Sequence, residues 1–355
     1  MKNRYALFLG FTEKTARFFT GKAVVLIFIL LVLPAASLLA QNKTDPATEK
    51  QLKKDAANDF DNNDFANAYS LYSQLLSLYP HDPNYNYRFG ACILNNSGDK
   101  KKAIKYINYA LKQPTVDNLA YYYLGRVLHL NYQFTEAQSA YEKYAQIANP
   151  GELKKYPVAR LIEMCNNGQT LLATSQELDV LRKTPLNFAN FYRAYNMHGN
   201  GGSLISEPDE FKSKIDKEKK VANLMYVTPD KSKAFFSSYG GDESKGKDIY
   251  VINKTPDGTW GVPQDLGTVI NTVYDEDYPV YDAPRHTLYF SSKGHNSMGG
   301  YDIFGSVYND STQTWSEPYN LDFPIILPMT ISCWFPILPD KPPILHQAAQ
   351  ALWVK

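Results

Sequence analysis

The sequence predicts an α + β multidomain chain, an all-helical repeat array followed by antiparallel sheet modules, and three observations predict it. Small residues recur every 34–35 positions through the first half, at Ala68, Ala103 and Ala137. Each is followed four positions later by a larger apolar residue, Tyr72, Ile107 and Tyr141. A longer repeat runs through the second half. There Phe235-Phe236-Ser237-Ser238 matches Tyr289-Phe290-Ser291-Ser292, and Asp248-Ile249-Tyr250 matches Asp302-Ile303-Phe304 at the same offset. Composition agrees: 355 residues at 44% hydrophobic and 14% aromatic supply cores for about two domains. A net charge of +1 leaves no basic footprint for nucleic acid.

Taken in chain order, residues 1–40 read as a secretory signal peptide. Lys2, Arg4, Lys14, Arg17 and Lys22 precede an unbroken apolar run from Ala23 to Leu33, and small residues lead out to Ala40. Pro34 and the shortness of the run argue against a membrane anchor. No cysteine follows, which argues against a lipid anchor. Loss of this leader leaves 32 basic against 35 acidic side chains, a net −3. The three cysteines, Cys92, Cys165 and Cys333, lack CxxC spacing, so they read as small buried thiols rather than metal ligands or a disulfide framework.

Residues 45–178 read as a helical domain. Gly90 and Gly125 stand 35 apart, and Pro80, Pro114 and Pro150 punctuate the units. The first unit is weaker, with Ala56 where later units have glycine, and the second carries one extra residue in its turn. Small residues let the two helices of a hairpin approach, the larger residue fills the groove to the next hairpin, and proline stops a helix from continuing. This spacing resembles the tetratricopeptide repeat, in three copies over about residues 49–150, with a capping helix expected at about 158–174. The resemblance implies a stack that binds a peptide or protein. Tyr121, Tyr122 and Tyr123 are candidate aromatic contacts on its concave face, with at least two of the three expected to pack between helices instead.

Residues 179–219 read as a linker with the first irregular strands, and 220–325 as about two sheet modules. "AFFSSYGGDESKGKDIYVIN" (234–253) and "LYFSSKGHNSMGGYDIFGSV" (288–307) align, and Trp260 and Trp315 follow in step before "PQDL" and "PYNL". Each copy holds three or four short strands joined by turn-forming residues. A sheet unit of roughly 50 residues, repeated, marks a β-propeller blade. The defining positions are Phe236, Ser237, Asp248, Trp260, Phe290, Ser291, Asp302 and Trp315. Their wording resembles the TolB-like, WD-repeat-like blades of bacterial envelope proteins. A leader, tetratricopeptide repeats and such blades together resemble a family of periplasmic cell-envelope proteins of Gram-negative bacteria, over about residues 23–325. In that family the propeller is commonly followed by an OmpA-like peptidoglycan-binding domain, and some members serve type nine secretion and gliding. No OmpA-like segment stands in this sequence, so peptidoglycan is an expected partner only if that domain were present.

From 326 to 355 the text changes character: five prolines between Ile325 and Lys355, one acidic residue and no glycine. Read two bases later, the single codons of Met and Trp fix aspartate at the Met329–Thr330 junction and glycine at Trp353–Val354. The free third bases permit an acidic triplet near 329–331 and an aromatic–serine stretch near 342–349. Both fall one repeat offset beyond Asp275-Glu276-Asp277 and Tyr289-Phe290-Ser291-Ser292. The tail therefore reads as a frameshift product, the helical half is expected to fold alone, and the sheet half to be marginal because unpaired strand edges remain.

No catalytic grouping emerges. The six histidines lack HExxH or paired spacing, "GHNSMG" misses the nucleophile elbow because His295 replaces its first glycine, and no phosphate-binding glycine loop occurs. "YDEDY" (274–278) is a candidate Ca²⁺ loop, but it lacks alternating ligand positions and reads better as a solvated turn before a strand. Asp248 and Asp302 read as turn caps. The expectation is a non-enzymatic scaffold without cofactor or metal, exported to the periplasm or outer membrane, that binds other envelope proteins or peptides through the helical repeats. The alternatives are a hydrolase-associated propeller protein and an inactive remnant.

Overall fold

The computed structural model describes residues 45–173, 179–186, 202–221, 223–321 and 348–354. The expected leader, residues 187–201 of the linker and most of the tail lie outside them. The described chain forms two compact units, one up to Leu71 and one from Tyr72 onward.

The first unit holds α1 (Pro46–Asp61) and the start of α2 (Phe65–Leu78). Asp45 caps α1 by accepting from Thr48 N–H, and Pro46 follows it with φ already set for a helix. At the turn Phe60 and Phe65 meet edge to face, centroids 5.6 Å apart.

The second unit continues with α3 (Pro83–Asn96), α4 (Lys100–Ala110), α5 (Leu119–His129), α6 (Phe134–Ile147), a short α7 (Pro150–Lys155) and α8 (Ala159–Ala173). α3 and α4 form one hairpin, α5 and α6 the next, and α8 packs on α6. The repeat glycines sit where hairpin helices touch. A Cβ on Gly90 would lie 2.8 Å from Ile107 and 3.0 Å from Ala103 O, and one on Gly125 would lie 2.4 Å from the Tyr141 ring. Ala68, Tyr72, Ala103, Ala137 and Tyr141 are all buried. The prolines differ from expectation. Asp82-Pro83 and Asn149-Pro150 open α3 and α7 as N-cap and first residue, so Pro150 starts a helix rather than ending one. The short α7 is an element that the repeat spacing does not predict.

Two antiparallel sheets follow. The first runs in the order β2 (Ser203–Ser206), β3 (Leu224–Val227), β4 (Lys233–Ser238), β5 (Asp248–Asn253), β6 (Gln264–Asp265). Between β2 and β3 lies a five-residue helix, α9 (Lys214–Glu218), with a Ser213–Asp216 capping box. The second sheet orders β7 (Glu276–Asp282), β8 (Thr287–Ser292), β9 (Asp302–Asn309) and β10 (Thr314–Trp315), with β11 (Tyr319–Asn320) also on β9. β8 begins and ends at the same offset from β4 as β9 begins from β5, so the structural repeat keeps the register of the sequence repeat. One further pair, β1 (Asp179–Leu186) with β12 (Ala348–Val354), is parallel. Among the described residues no ring of blades closes.

The sheets pack through one shared core of Tyr226, Phe235 and Ile249 with Val280, Leu288, Phe290 and Phe304. The pairing is directional. Phe236 and Tyr250 stack at 5.9 Å on the face of the first sheet that meets Phe211. Their repeat equivalents Phe290 and Phe304, also stacked at 5.9 Å, lie in the shared core. Like faces therefore point the same way along the array.

Candidate functional site at the helix–sheet junction

The loop from Lys293 to Tyr301, between β8 and β9, is where helices and sheet meet. Its repeat equivalent in the first sheet carries an exposed 3₁₀ turn, Glu243–Lys245. In the second sheet Ser297 and Met298 are instead fully buried. The difference is supplied by α5 and α8. Arg160 Nη2 donates to Lys293 O (2.8 Å), Gly294 O (3.0 Å), His295 O (3.2 Å) and Ser297 Oγ (2.9 Å). Its Nη1 pairs with Glu163 at 2.6 Å, and the guanidinium lies 4.7 Å over the Tyr274 ring. A planar fork held by backbone carbonyls fits arginine and not lysine. Asn167 Nδ2 donates to Ser297 O at 2.9 Å.

His129, at the end of α5, completes the contact. Its Nε2 lies 2.6 Å from Met298 O and its Nδ1 3.6 Å from Cys165 Sγ. Because a carbonyl only accepts, the proton is assigned to Nε2, with Nδ1 facing the thiol. Burial holds His129 below the usual imidazole range. Burial also pushes the thiols of Cys92 and Cys165 up to about 12, which leaves both as inert thiols.

On its own sheet the loop is held by two buried carboxyl groups. Asp302 Oδ2 accepts from Met298 N–H at 2.5 Å, so one residue, Met298, is held at both its N–H and its C=O. Asp302 Oδ1 is buried and accepts no hydrogen bond. Glu276 accepts from Thr272 N–H (2.7 Å), Thr272 Oγ1 (2.9 Å) and Ser292 Oγ (2.5 Å), and Ser292 Oγ accepts from Gly294 N–H (2.8 Å). Burial pushes both carboxyls up to about 7. For Asp302 the Met298 N–H, the nearby Asn320 and Arg160 offset part of the rise; for Glu276 its own hydrogen bonds do.

A second polar cluster ties β3, β5 and β7 together. Lys247 Nζ donates to Asn223 Oδ1 (3.1 Å) and Asp277 Oδ2 (2.8 Å), and Asn223 Nδ2 donates to Glu207 Oε2 (3.0 Å) and Ser237 O (2.7 Å). Glu207 Oε1 and Ser237 Oγ are buried without partners. Burial pushes Glu207 up to about 7.

The residues singled out in the sequence take the following places. Asp302 is a turn cap on Met298 N–H, whereas Asp248 makes no such bond among the described residues, and burial with Asp265 nearby pushes it up to about 6. "YDEDY" is not a solvated turn. Glu276 and Asp277 open β7 and are buried, Asp275 pairs with Lys293 at 2.6 Å, and Asp277 pairs with Lys247. With each carboxylate already engaged elsewhere, they do not converge on a cation. Among the described residues no group of three or more His, Cys, Asp or Glu side chains is placed to hold a metal ion. Ser291 is buried in β8, Trp260 bridges to Lys254 outside the strands, and Trp315 packs on Tyr308 at 4.9 Å. Of the three tyrosines, Tyr122 and Tyr123 are buried, and Tyr122 lies 5.2 Å from both Tyr123 and Tyr156. Cys333 lies outside the described residues.

Arg160, Asn167 and His129 carry no repeat signature, so sequence reasoning passes them over. The readable hint is the divergence of the two loops: "GGDESKGK" carries two acidic and two basic side chains, whereas "KGHNSMGG" carries a single lysine and no acid.

The fold and junction define a class: helical hairpin repeats followed by, and hydrogen-bonded to, antiparallel sheet modules. Compared with known proteins, the chain matches no family model and no curated protein. Among solved structures it is similar to the type III secretion chaperone SycD of Yersinia enterocolitica in complex with a peptide of the translocator YopD. That match has 21% identity and a TM-score of 0.31, over 36% of this chain and 99% of that one. A second structure of the same translocator chaperone gives 21% identity and a TM-score of 0.31, over 37% of this chain and 93% of that one. Among the described residues no helix is long and apolar enough to cross a membrane.

Proposed function

We propose that this chain is a non-enzymatic scaffold of the cell envelope, exported to the periplasm or the outer membrane. It binds other envelope proteins or peptides through its helical repeats, while the sheets act as blades of an incomplete propeller. The leader-like residues 1–40, the recurring small and large residues of the helical half and the blade wording support the reading. One observation carries it: α5 and α8 grip the β8–β9 loop through His129, Arg160 and Asn167, each of which donates to backbone carbonyls of that loop. That is holding chemistry rather than turnover chemistry, and it makes the end of the array a fixed mount for the sheet.

The test is site-specific photo-crosslinking in the full chain from exposed Asn108 and half-exposed Tyr121 of the array. Discrete protein adducts from array positions are expected. Crosslinks only from sheet positions, or turnover in a hydrolase screen, would overturn the reading.

A further inference from the structure

The β8–β9 loop ties helices to sheet, and acid–base groups grip it from both sides. We infer that this tie is a pH-sensitive latch, closed when Asp302 and Glu276 are protonated and His129 is neutral, and loosened as those carboxyls ionise. The inference holds whether or not the helical array binds a partner.

The geometry is specific. Met298 is clasped at both of its backbone groups, its N–H by Asp302 of the sheet and its C=O by His129 of the helices. Asp302 Oδ1 is fully buried and accepts no hydrogen bond, and the nearby Asn320 side chain offsets only part of that burial, so an ionised Asp302 places half its charge on a poorly solvated oxygen. Glu276 is equally buried, and its partners, Thr272 and Ser292, are neutral. Ser292 Oγ passes the restraint on to Gly294 N–H, one residue from the first carbonyl that Arg160 holds.

The charged and titratable groups around the latch set the sign. From α8 come Arg160, paired to Glu163, and Cys165; from α5 come His129 and Arg126. From the sheet come Lys293 paired to Asp275, His295 with Nε2 on Ile270 O and Glu317 nearby, and Asp248 facing Glu276. Arg160 is the cation that eases ionisation of Asp302, and its Nη2 is already committed to carbonyls and Ser297. Both carboxyls lie above their ordinary range, at about 7. Their contribution is therefore full below about pH 4 and lost as pH rises through neutrality. His129 lies below its ordinary range, so its contribution is present above about 6.5 and lost in acid. Two carboxyls against one imidazole leave a net loosening from mildly acidic to mildly alkaline solution.

Hydrogen exchange on the full chain at pH 5.5 and 8.0, corrected for intrinsic rates, reads the latch directly. Amides of 294–301 should lose roughly tenfold in protection between the two pH values relative to amides of β4, and Asp302→Asn should remove much of that difference. Unchanged relative protection, or full pH dependence in Asp302→Asn, would overturn the inference. Should the variant not fold, carboxyl-carbon NMR of the unaltered chain decides: midpoints near 7 support the latch, and midpoints near 4 for both groups end it.

Discussion

Arg160 and Gly125 show how differently two residues can matter to one array. Gly125 matters by what it lacks. A methyl there would lie 2.4 Å from the Tyr141 ring, and a fully buried tyrosine has nowhere to go. Gly125→Ala should cost about 1–3 kcal/mol by overpacking. Gly241→Ala, where an added Cβ meets nothing within 4 Å, should fall within about 0.5 kcal/mol of the unaltered chain. Urea midpoints followed by far-UV circular dichroism separate the two. Arg160 matters by what it spans. Arg160→Lys keeps the charge and loses the fork, so it should cost about 1–3 kcal/mol and release the β8–β9 loop first. Equal protection of that loop in both proteins would contradict this. The glycine is legible in the sequence because Gly90 marks the same place in the preceding hairpin. The arginine is not, because its partners lie 133–137 residues downstream and no local pattern announces them.

Elements of the helical half are legible for the same reason: the spacing of small and large residues dictates hairpins, although the prolines, read as unit ends, also open helices where Asp82 or Asn149 precedes them. β4, β5, β8 and β9 are legible as strands from their matching text. β7 is not, because Glu276 and Asp277 are poor strand formers in isolation and settle in a strand only when Ser292, Thr272 and Lys247 receive them. The expected independence of the helical half meets the junction described above. A fragment of residues 45–173 should be helical but should melt below the same helices in the full chain, because Arg160, Asn167 and His129 lose their carbonyl partners. Superimposable melting curves by circular dichroism would show that the junction adds nothing to the array.

Among the described residues of the molecule, buried and half-buried acids set the response to pH. Glu207, Glu276 and Asp302 are pushed up to about 7, and Asp248 to about 6, all mainly by burial. Each contributes stability below its ordinary value that is lost as pH rises through the shifted one. Asp216 and Asp275 shift the other way, because hydrogen bonds from Ser238 and Ser213, and from Lys293, outweigh burial. Their contributions are lost as pH falls below about 4. The buried His129 and half-buried His295 lose theirs below about 6.5. Four raised acids outnumber two lowered imidazoles, so the thermal midpoint should fall between pH 5 and pH 8 and fall again below pH 4. A midpoint that climbs steadily from pH 5 to 8 would show these carboxyls to be ordinary.

The directional meeting of the two sheets has an evolutionary corollary. The stacked ring pair of the second module seats against the opposite side of the first, whose own equivalent pair meets Phe211, so donor side and acceptor side are both inherited whenever the unit is copied. Tandem duplication of a whole module thus brings its own socket with it. Growth by complete units needs no compensating change, whereas the loop that grips the helices is singular and would have to be reinvented at every other position.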